Sequence, residues 1–140
     1  MKVNEKGMTL MEVMIVMAIL GGLLAILVPN VMDNFTKAKV KQSVIQLSNL
    51  KQALGNYLID CGSMPSAELG LDALVNDPGQ GACKSWGPRA YVDKRGLKDQ
   101  FGHDFGYEVE NGIVRITFYG KDGKAGGSKY DADVTEELEQ

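Results

Sequence analysis

The apolar positions change rhythm along this chain, and each rhythm predicts a different element. Val13 to Val28 is an apolar run free of charge that stops at Pro29. Counted from Met8 it makes 21 residues, which at about 1.5 Å per helical residue reach the roughly 30 Å of a bilayer core. After Pro29 the spacing opens. Val40, Val44, Leu47, Leu50, Leu54, Tyr57, Leu58 and Cys61 recur at three- and four-residue steps, an amphipathic helix with one buried stripe. Lys37, Lys39, Lys41, Gln42, Lys51 and Gln52 cover its other faces. The two segments read as one helix from Thr9 to about Asp60, near 75 Å long, which Pro29 should kink or loosen because proline removes a donor. Gly62 ends it in a left-handed cap.

Beyond the helix the pattern shortens. Ser66 is an N-cap for a short helix over Ala67 to Val75, closed by Asn76-Asp77-Pro78-Gly79. Gln80 to Pro88 is loop, Arg89 to Asp93 a short strand, and Lys94 to Gly102 loop again. Period two then takes over: Tyr107 to Glu110 and Ile113 to Phe118 flank Asn111-Gly112, the signature of a type I′ hairpin. A two-residue turn sets the register, so Glu110 faces Ile113, Val109 faces Val114, Glu108 faces Arg115 and Tyr107 faces Ile116. Phe105, Tyr107, Val109, Val114, Ile116 and Phe118 should therefore lie on the helix, and Glu108 should meet Arg115 on the exposed face. Tyr119 to Val134 is a glycine-rich loop with aspartates at 122, 131 and 133, its ends able to converge.

Charge and chemistry refine this picture. A single ionisable group, Glu12, falls within the apolar span. A charge at membrane depth costs on the order of 2.5 kcal/mol unless paired, so Glu12 is a functional candidate. With 140 residues and a net charge of −3 the chain suits one small soluble domain behind an anchor, and its mild acidity argues against nucleic acid as a partner. Lys2 and Lys6 before the span balance Lys37, Lys39 and Lys41 after it, which leaves orientation open. A cleavable secretory signal would need small residues after the apolar run, and Leu27-Val28-Pro29-Asn30 offers none. Cys61 and Cys83 both lie beyond the span, either as free thiols or as a bridge tying the 80–88 loop to the helix end. No nucleophile stands with a base, no histidine and cysteine share ligand spacing, and the lone His103 reads as a turn residue. The aspartate loop lacks EF-hand spacing; by composition alone it is a solvated turn.

Gly7, the hydrophobic Met8, Thr9-Leu10, Glu12 five residues after the glycine, and Pro29 together resemble the class III signal and N-terminal helix of type IV pilins and type II secretion pseudopilins. The resemblance implies that a prepilin peptidase cuts between Gly7 and Met8 on the cytoplasmic side and methylates the new N-terminus. It implies a leader over 1–7, a transmembrane helix over 8–28 and a head over 29–140, with Glu12 neutralising the terminal amine of a neighbouring subunit. Met8 stands where the family usually has phenylalanine. Losing Lys2, Glu5 and Lys6 with the leader takes the net charge from −3 to −4.

Further stretches resemble the major pseudopilins. Met64 to Val75 is similar to their proline and glycine-leucine segment, and Asp99 to Tyr107 to the segment before their sheet. Tyr119-Gly120-Lys121-Asp122-Gly123, Gly126-Gly127-Ser128 and Asp131-Ala132-Asp133-Val134 resemble their C-terminal calcium loop. That resemblance implies calcium held by the side chains of Asp122, Asp131 and Asp133 and by backbone or hydroxyl oxygen of Tyr119 and Ser128, with the cationic Lys121 alongside.

The expected fold is α+β: a long N-terminal helix packed on a small antiparallel sheet, pilin-like, with a C-terminal calcium loop. The expected function is non-enzymatic. A bacterial inner-membrane subunit with cytoplasmic N-terminus and periplasmic head assembles into a helical filament that drives protein export across the outer membrane. Minor pseudopilins and an inner-membrane assembly platform would be its partners. A periplasmic head would put Cys61 and Cys83 where cysteine pairs bridge. Two alternatives are a pilin of an extracellular type IV pilus and a monomeric membrane-anchored calcium module, for which Glu12 would serve no purpose.

Overall fold

The structure is a computed structural model that describes residues 7–139; the leader residues 1–6, Lys2, Glu5 and Lys6 among them, lie outside the described residues. One helix, α1 (Leu10–Cys61), is followed by a three-stranded antiparallel sheet of β1 (Gly106–Glu110), β2 (Ile113–Phe118) and β3 (Val134–Glu139), in the order β1-β2-β3. The chain divides into two compact units between Thr36 and Lys37.

In the first unit α1 exposes its large apolar side chains throughout, from Leu10 and Met14 to Val28 and Phe35. From Val13 to Val28 it carries no polar side chain on any face, and a helix apolar all round over that length suits lipid rather than water. Helical geometry continues without interruption through Pro29. Pro29 has no N–H to offer the Ala25 carbonyl. The next residue adds a side-chain bond there: Asn30 Nδ2 donates to the Ile26 carbonyl at 3.3 Å.

In the second unit the predicted stripe forms the core. Leu47, Leu50, Leu54 and Tyr57 of α1 are buried with Phe105, Val114, Ile116 and Phe118 of the sheet and with Leu71 and Leu74 of the intervening segment. Two further helix positions are buried outside the predicted stripe. Ala53 is small enough to let the layers approach, and Ser43 is polar but satisfied twice: its Oγ donates to the Lys39 carbonyl at 3.0 Å and accepts the Gln100 N–H at 3.1 Å. The helix ends as expected, with Gly62 at φ 77° donating to the Leu58 carbonyl.

The hairpin register is the predicted one at all four positions, and Asn111 and Gly112 both have positive φ (52° and 81°), the geometry a type I′ turn demands. Val109 is the exception to the expected inner face. It sits near the turn and stays 37% exposed, because the helix does not cover that end of β1.

Three local expectations are corrected. The segment over Ala67 to Val75 is not an α-helix: Ser66 holds a turn through its carbonyl and hydroxyl, and a 3-10 helix follows over Gly70–Leu74. Gly70 takes φ 57°, a left-handed step that interrupts α geometry. Arg89 to Asp93 is not a strand; it has no ladder partner, and Tyr91 instead donates its N–H to the Leu74 carbonyl while its ring packs edge-on to Tyr57 and Trp86. Lys94–Leu97, expected as loop, is a 3-10 turn.

Cys61 and Cys83 are joined by a disulfide that closes 22 sequence steps and anchors the 79–91 loop to the end of α1. By loop entropy such a bridge contributes about 3 kcal/mol. Replacing both cysteines by serine is expected to lower the melting temperature of the head by on the order of 10 °C in a calorimetric scan. A variant melting with the wild type would show that the 80–91 segment is held by the Trp86 and Tyr91 contacts alone.

Candidate functional site

Three places carry the chemistry. The first is the start of α1. Gly7 and Met8 precede the helix in exposed, non-helical backbone, with Met8 71% exposed. Thr9 caps the helix: its carbonyl accepts the N–H groups of Glu12 (3.1 Å) and Val13 (3.2 Å), and its Oγ1 lies 3.3 Å from the Glu12 N–H. Carbonyl and hydroxyl of Thr9 thus share the Glu12 N–H, one of the first-turn donors that a helix start leaves without an intrahelical partner. The cap role of Thr9 is legible as a threonine three residues before an acidic residue at a helix start. Glu12 then stands in the first turn of α1, where the positive end of the helix favours an anion. Among the described residues no cation pairs with the Glu12 carboxylate. Pro29 lies nearly five turns further along the same helix, so the two residues named for assembly stand at opposite ends of the apolar run, with Glu12 beside the processing residues.

The second place is the C-terminal loop between β2 and β3. Its ends do converge: Lys121 donates its N–H to the Tyr130 carbonyl at 2.8 Å, and a 3-10 turn over Lys129–Asp131 brings Asp131 back beneath the glycines. Gly120 (φ 64°) and Gly127 (φ 98°) both press on the Asp131 backbone so closely that a Cβ on either would overlap its carbonyl. Gly123 in turn carries the His103 ring, whose Cγ would stand 2.6 Å from any Cβ there. Tyr119 is half-buried against Gly106 of β1. Asp122 and Asp133 are exposed; Asp122 Oδ1 accepts the Lys124 N–H (3.2 Å) and Asp133 Oδ2 accepts the Gly126 N–H (2.7 Å). Ser128 is exposed, and its carbonyl accepts the Asp131 N–H.

The donor types suit a hard cation. The loop supplies three carboxylates and a backbone closed on itself, and each aspartate that holds an N–H with one oxygen keeps a second oxygen to offer. The carboxylates are not, however, gathered as a preformed centre: among the described residues no three histidine, cysteine, aspartate or glutamate side chains cluster tightly enough to hold a metal.

The third place, missed in the sequence, is the turn linking the helix to this loop. Asp99 is buried and accepts the N–H groups of Phe101 (2.8 Å) and His103 (2.9 Å), and His103 Nδ1 lies 3.5 Å from Asp99 Oδ2. His103 thus has the turn role expected of it, with the added task of supporting Gly123. Burial pushes the Tyr107 phenol well above its ordinary pKa; its hydroxyl donates to the Pro65 carbonyl at 2.7 Å and stays protonated.

A capped helix with one carboxylate near its start is long and apolar enough to cross a membrane, and a sheet-bearing head follows it in the chain. A family model described as the prokaryotic N-terminal methylation motif matches residues 2–28, and one described as type II secretion system protein G matches residues 30–137. The chain is 35% identical to the type II secretion system core protein G of Vibrio cholerae over 133 residues, covering 94% of this chain and 90% of that protein. It is 37% identical to the core protein G of Pseudomonas aeruginosa over 134 residues, covering 94% of each. In structure it resembles the major pseudopilin from the type 2 secretion system of enterohaemorrhagic Escherichia coli, with TM-score 0.58 at 27% identity over 76% of this chain and 93% of that one. The chain belongs to the type II secretion system protein G family. Among the two filament classes its N-terminal motif allows, membership selects the secretion system over the extracellular pilus.

Proposed function

We propose that this chain is the major structural subunit of a type II secretion pseudopilus, held in the bacterial inner membrane by the apolar half of α1 with its N-terminus in the cytoplasm and its head in the periplasm. The observation that carries the reading is Glu12: a carboxylate in the first turn of α1, at the head of an apolar run, with no cation partner among the described residues. Its partner is the amine exposed at Met8 when a prepilin peptidase cuts after Gly7. That amine is about one helical turn away in the same chain and equally available from a neighbour. Each arriving subunit brings one amine and one carboxylate, so the contact repeats without closing and generates a helical filament. Minor pseudopilins and an inner-membrane assembly platform would start and feed that filament, and its growth would drive folded proteins through the outer membrane.

The C-terminal loop is the proposed calcium site, with Asp122, Asp131 and Asp133 as side-chain ligands and Tyr119 and Ser128 as further oxygen donors. Bound calcium would supply a divalent charge that offsets the mutual repulsion of the carboxylates and ties β3 to the loop that precedes it.

Processing is testable by intact mass. Co-expressed with a prepilin peptidase, the chain is expected to lose the mass of residues 1–7 and gain one methyl group. An unprocessed mass, or a cut after the apolar run, would remove the class III signal from the account.

A further inference from the structure

The head segregates its charge. Between Asp33 and Asp60, α1 carries no carboxylate at all. The 84–98 segment packed beside it holds Lys84, Arg89, Lys94, Arg95 and Lys98 against one acid, Asp93. Lys98 pairs with Asp104 at 2.8 Å, but Lys84, Arg89, Lys94 and Arg95 are exposed and form no ion pair among the described residues. The sheet is the reverse. Its outer face places Glu108, Arg115 and Glu137 in one register row and Glu110, Ile113 and Glu139 in the next, four glutamates to one arginine. Arg115 is shared among Glu137 (3.0 Å), Glu108 (3.8 Å) and Glu110 (4.0 Å), which leaves Glu139 without a cation among the described residues. Glu136, on the inner side, is already taken by Lys51 at 2.8 Å.

The basic segment is also held firmly. Gln46 of α1 donates through Nε2 to the carbonyls of Gly96 (2.9 Å) and Lys98 (2.6 Å), with Arg95 O at 3.4 Å, so the Lys94–Leu97 turn is pinned to the helix. Two opposed, unmatched surfaces on one rigid head are what a head-to-tail assembly requires. One chain cannot bring its own Lys94–Arg95 turn onto its own β3, because both are fixed in the same fold; a second copy can.

We infer that the Lys94–Arg95 turn of one copy docks on the outer sheet face of the next, on the patch formed by Glu110 of β1 and Glu137 and Glu139 of β3. Ile113, exposed between Glu110 and Glu139, gives that face an apolar centre. This deepens the filament reading and rests on it: the Glu12 contact sets association within the membrane, and this one sets how successive heads meet in the periplasm. The contact is heterologous and leaves each partner's other surface free, as a growing helix needs. Because both surfaces are solvent-exposed before docking, their attraction is screened within about 8 Å at physiological salt, and shed filaments should fall apart as ionic strength rises.

The test is charge exchange in the full-length chain, expressed with the peptidase, the minor pseudopilins and the inner-membrane assembly platform and scored as filaments recovered by shearing. Lys94→Glu with Arg95→Glu, and separately Glu137→Lys with Glu139→Lys, are each expected to reduce filaments by at least about tenfold, since like charges then face one another. Combining all four substitutions in one chain is expected to restore assembly. Retained protease resistance of each detergent-extracted variant shows that the head is folded. Co-expressing an Arg95→Cys copy with a Glu139→Cys copy gives a second readout, an oxidised dimer that forms only when both are present. Wild-type assembly by either reversed variant, failure of the fourfold variant to recover, or absence of the mixed dimer in assembled filaments overturns the contact. If these outcomes occur while Glu12→Ala still abolishes filaments, the docking surface is wrong and the filament reading stands.

Discussion

Replacing Glu12 by alanine is expected to leave the chain in the membrane and abolish its filaments. An unpaired carboxylate in the first turn of a membrane helix costs on the order of 2.5 kcal/mol, and alanine removes that cost, so insertion is if anything easier. What disappears is the gain on assembly, when a neighbour's terminal amine neutralises the carboxylate and recovers that same cost. Each 1.4 kcal/mol is a tenfold change in an association constant, and the loss recurs at every subunit added. Glu12→Gln should fail in the same way, since it keeps the shape and the cap geometry of Thr9 but not the charge. The measurement is sheared filament yield against total membrane-bound subunit. Normal filament yield from the alanine variant would leave Glu12 without a role and favour assembly by head contacts alone.

Calcium should stabilise the head strongly, and a side chain at Gly120 should abolish the effect. A ligand at 100 times its dissociation constant that binds only the folded state contributes about 2.7 kcal/mol. For a domain of this size chelation is therefore expected to lower the melting temperature by on the order of 10 °C. Gly120→Val meets two obstacles at once: a β-branched residue at φ 64°, and a Cβ that overlaps the Asp131 carbonyl. The strain alone is worth about 1–3 kcal/mol, and relieving the overlap requires Asp131 to move away. The variant head, residues 37–140, should melt lower than the wild type in calcium and show no further loss on chelation. If wild-type stability ignores chelator, calcium leaves the account and the loop is a structural turn closed by its glycines. If the variant still responds, the ligands do not depend on the position of Asp131.

The parts of the fold that were legible are those where one physical rule decides. The run to Val28 could only be a membrane-length helix, the 40–61 stripe could only bury one face, and Asn111-Gly112 imposed both turn type and register. What escaped lies where several weak signals compete. β3 was missed because Thr135, Glu136, Glu137 and Glu139 disguise it: of the inward positions only Val134 and Leu138 are apolar, while Glu136 pairs with Lys51 and Glu137 with Arg115. An edge strand dressed in charge resists unwanted pairing and, for the same reason, looks like a polar tail. Gly70 broke an α-helix that composition favoured, and Arg89 to Asp93 looked like strand because Tyr91 and Val92 are apolar, although they serve as anchors for a loop.

Of the candidate sites, the N-terminal motif was readable because its residues act in sequence order. Its cap by Thr9 needed only the rule for helix starts. The proposed calcium loop was readable as a set of oxygens but not as a geometry, since its closure depends on Gly120 and Gly127, eleven and four positions before Asp131, yielding space to that residue. Asp99 and His103, which support that loop from below, carry no signal in a single sequence: one buried carboxylate and one histidine are ordinary turn residues until the fold brings Gly123 against the ring.

The central claim is that Glu12 pairs with the processed terminus of another subunit, and electron cryomicroscopy of filaments assembled from the full-length, peptidase-processed chain tests it most directly. The account predicts the Glu12 carboxylate within about 4 Å of the Met8 amine of a neighbouring subunit, an ion-pair distance, at every repeat. A filament in which Glu12 faces lipid, or reaches only the amine of its own chain, would contradict it.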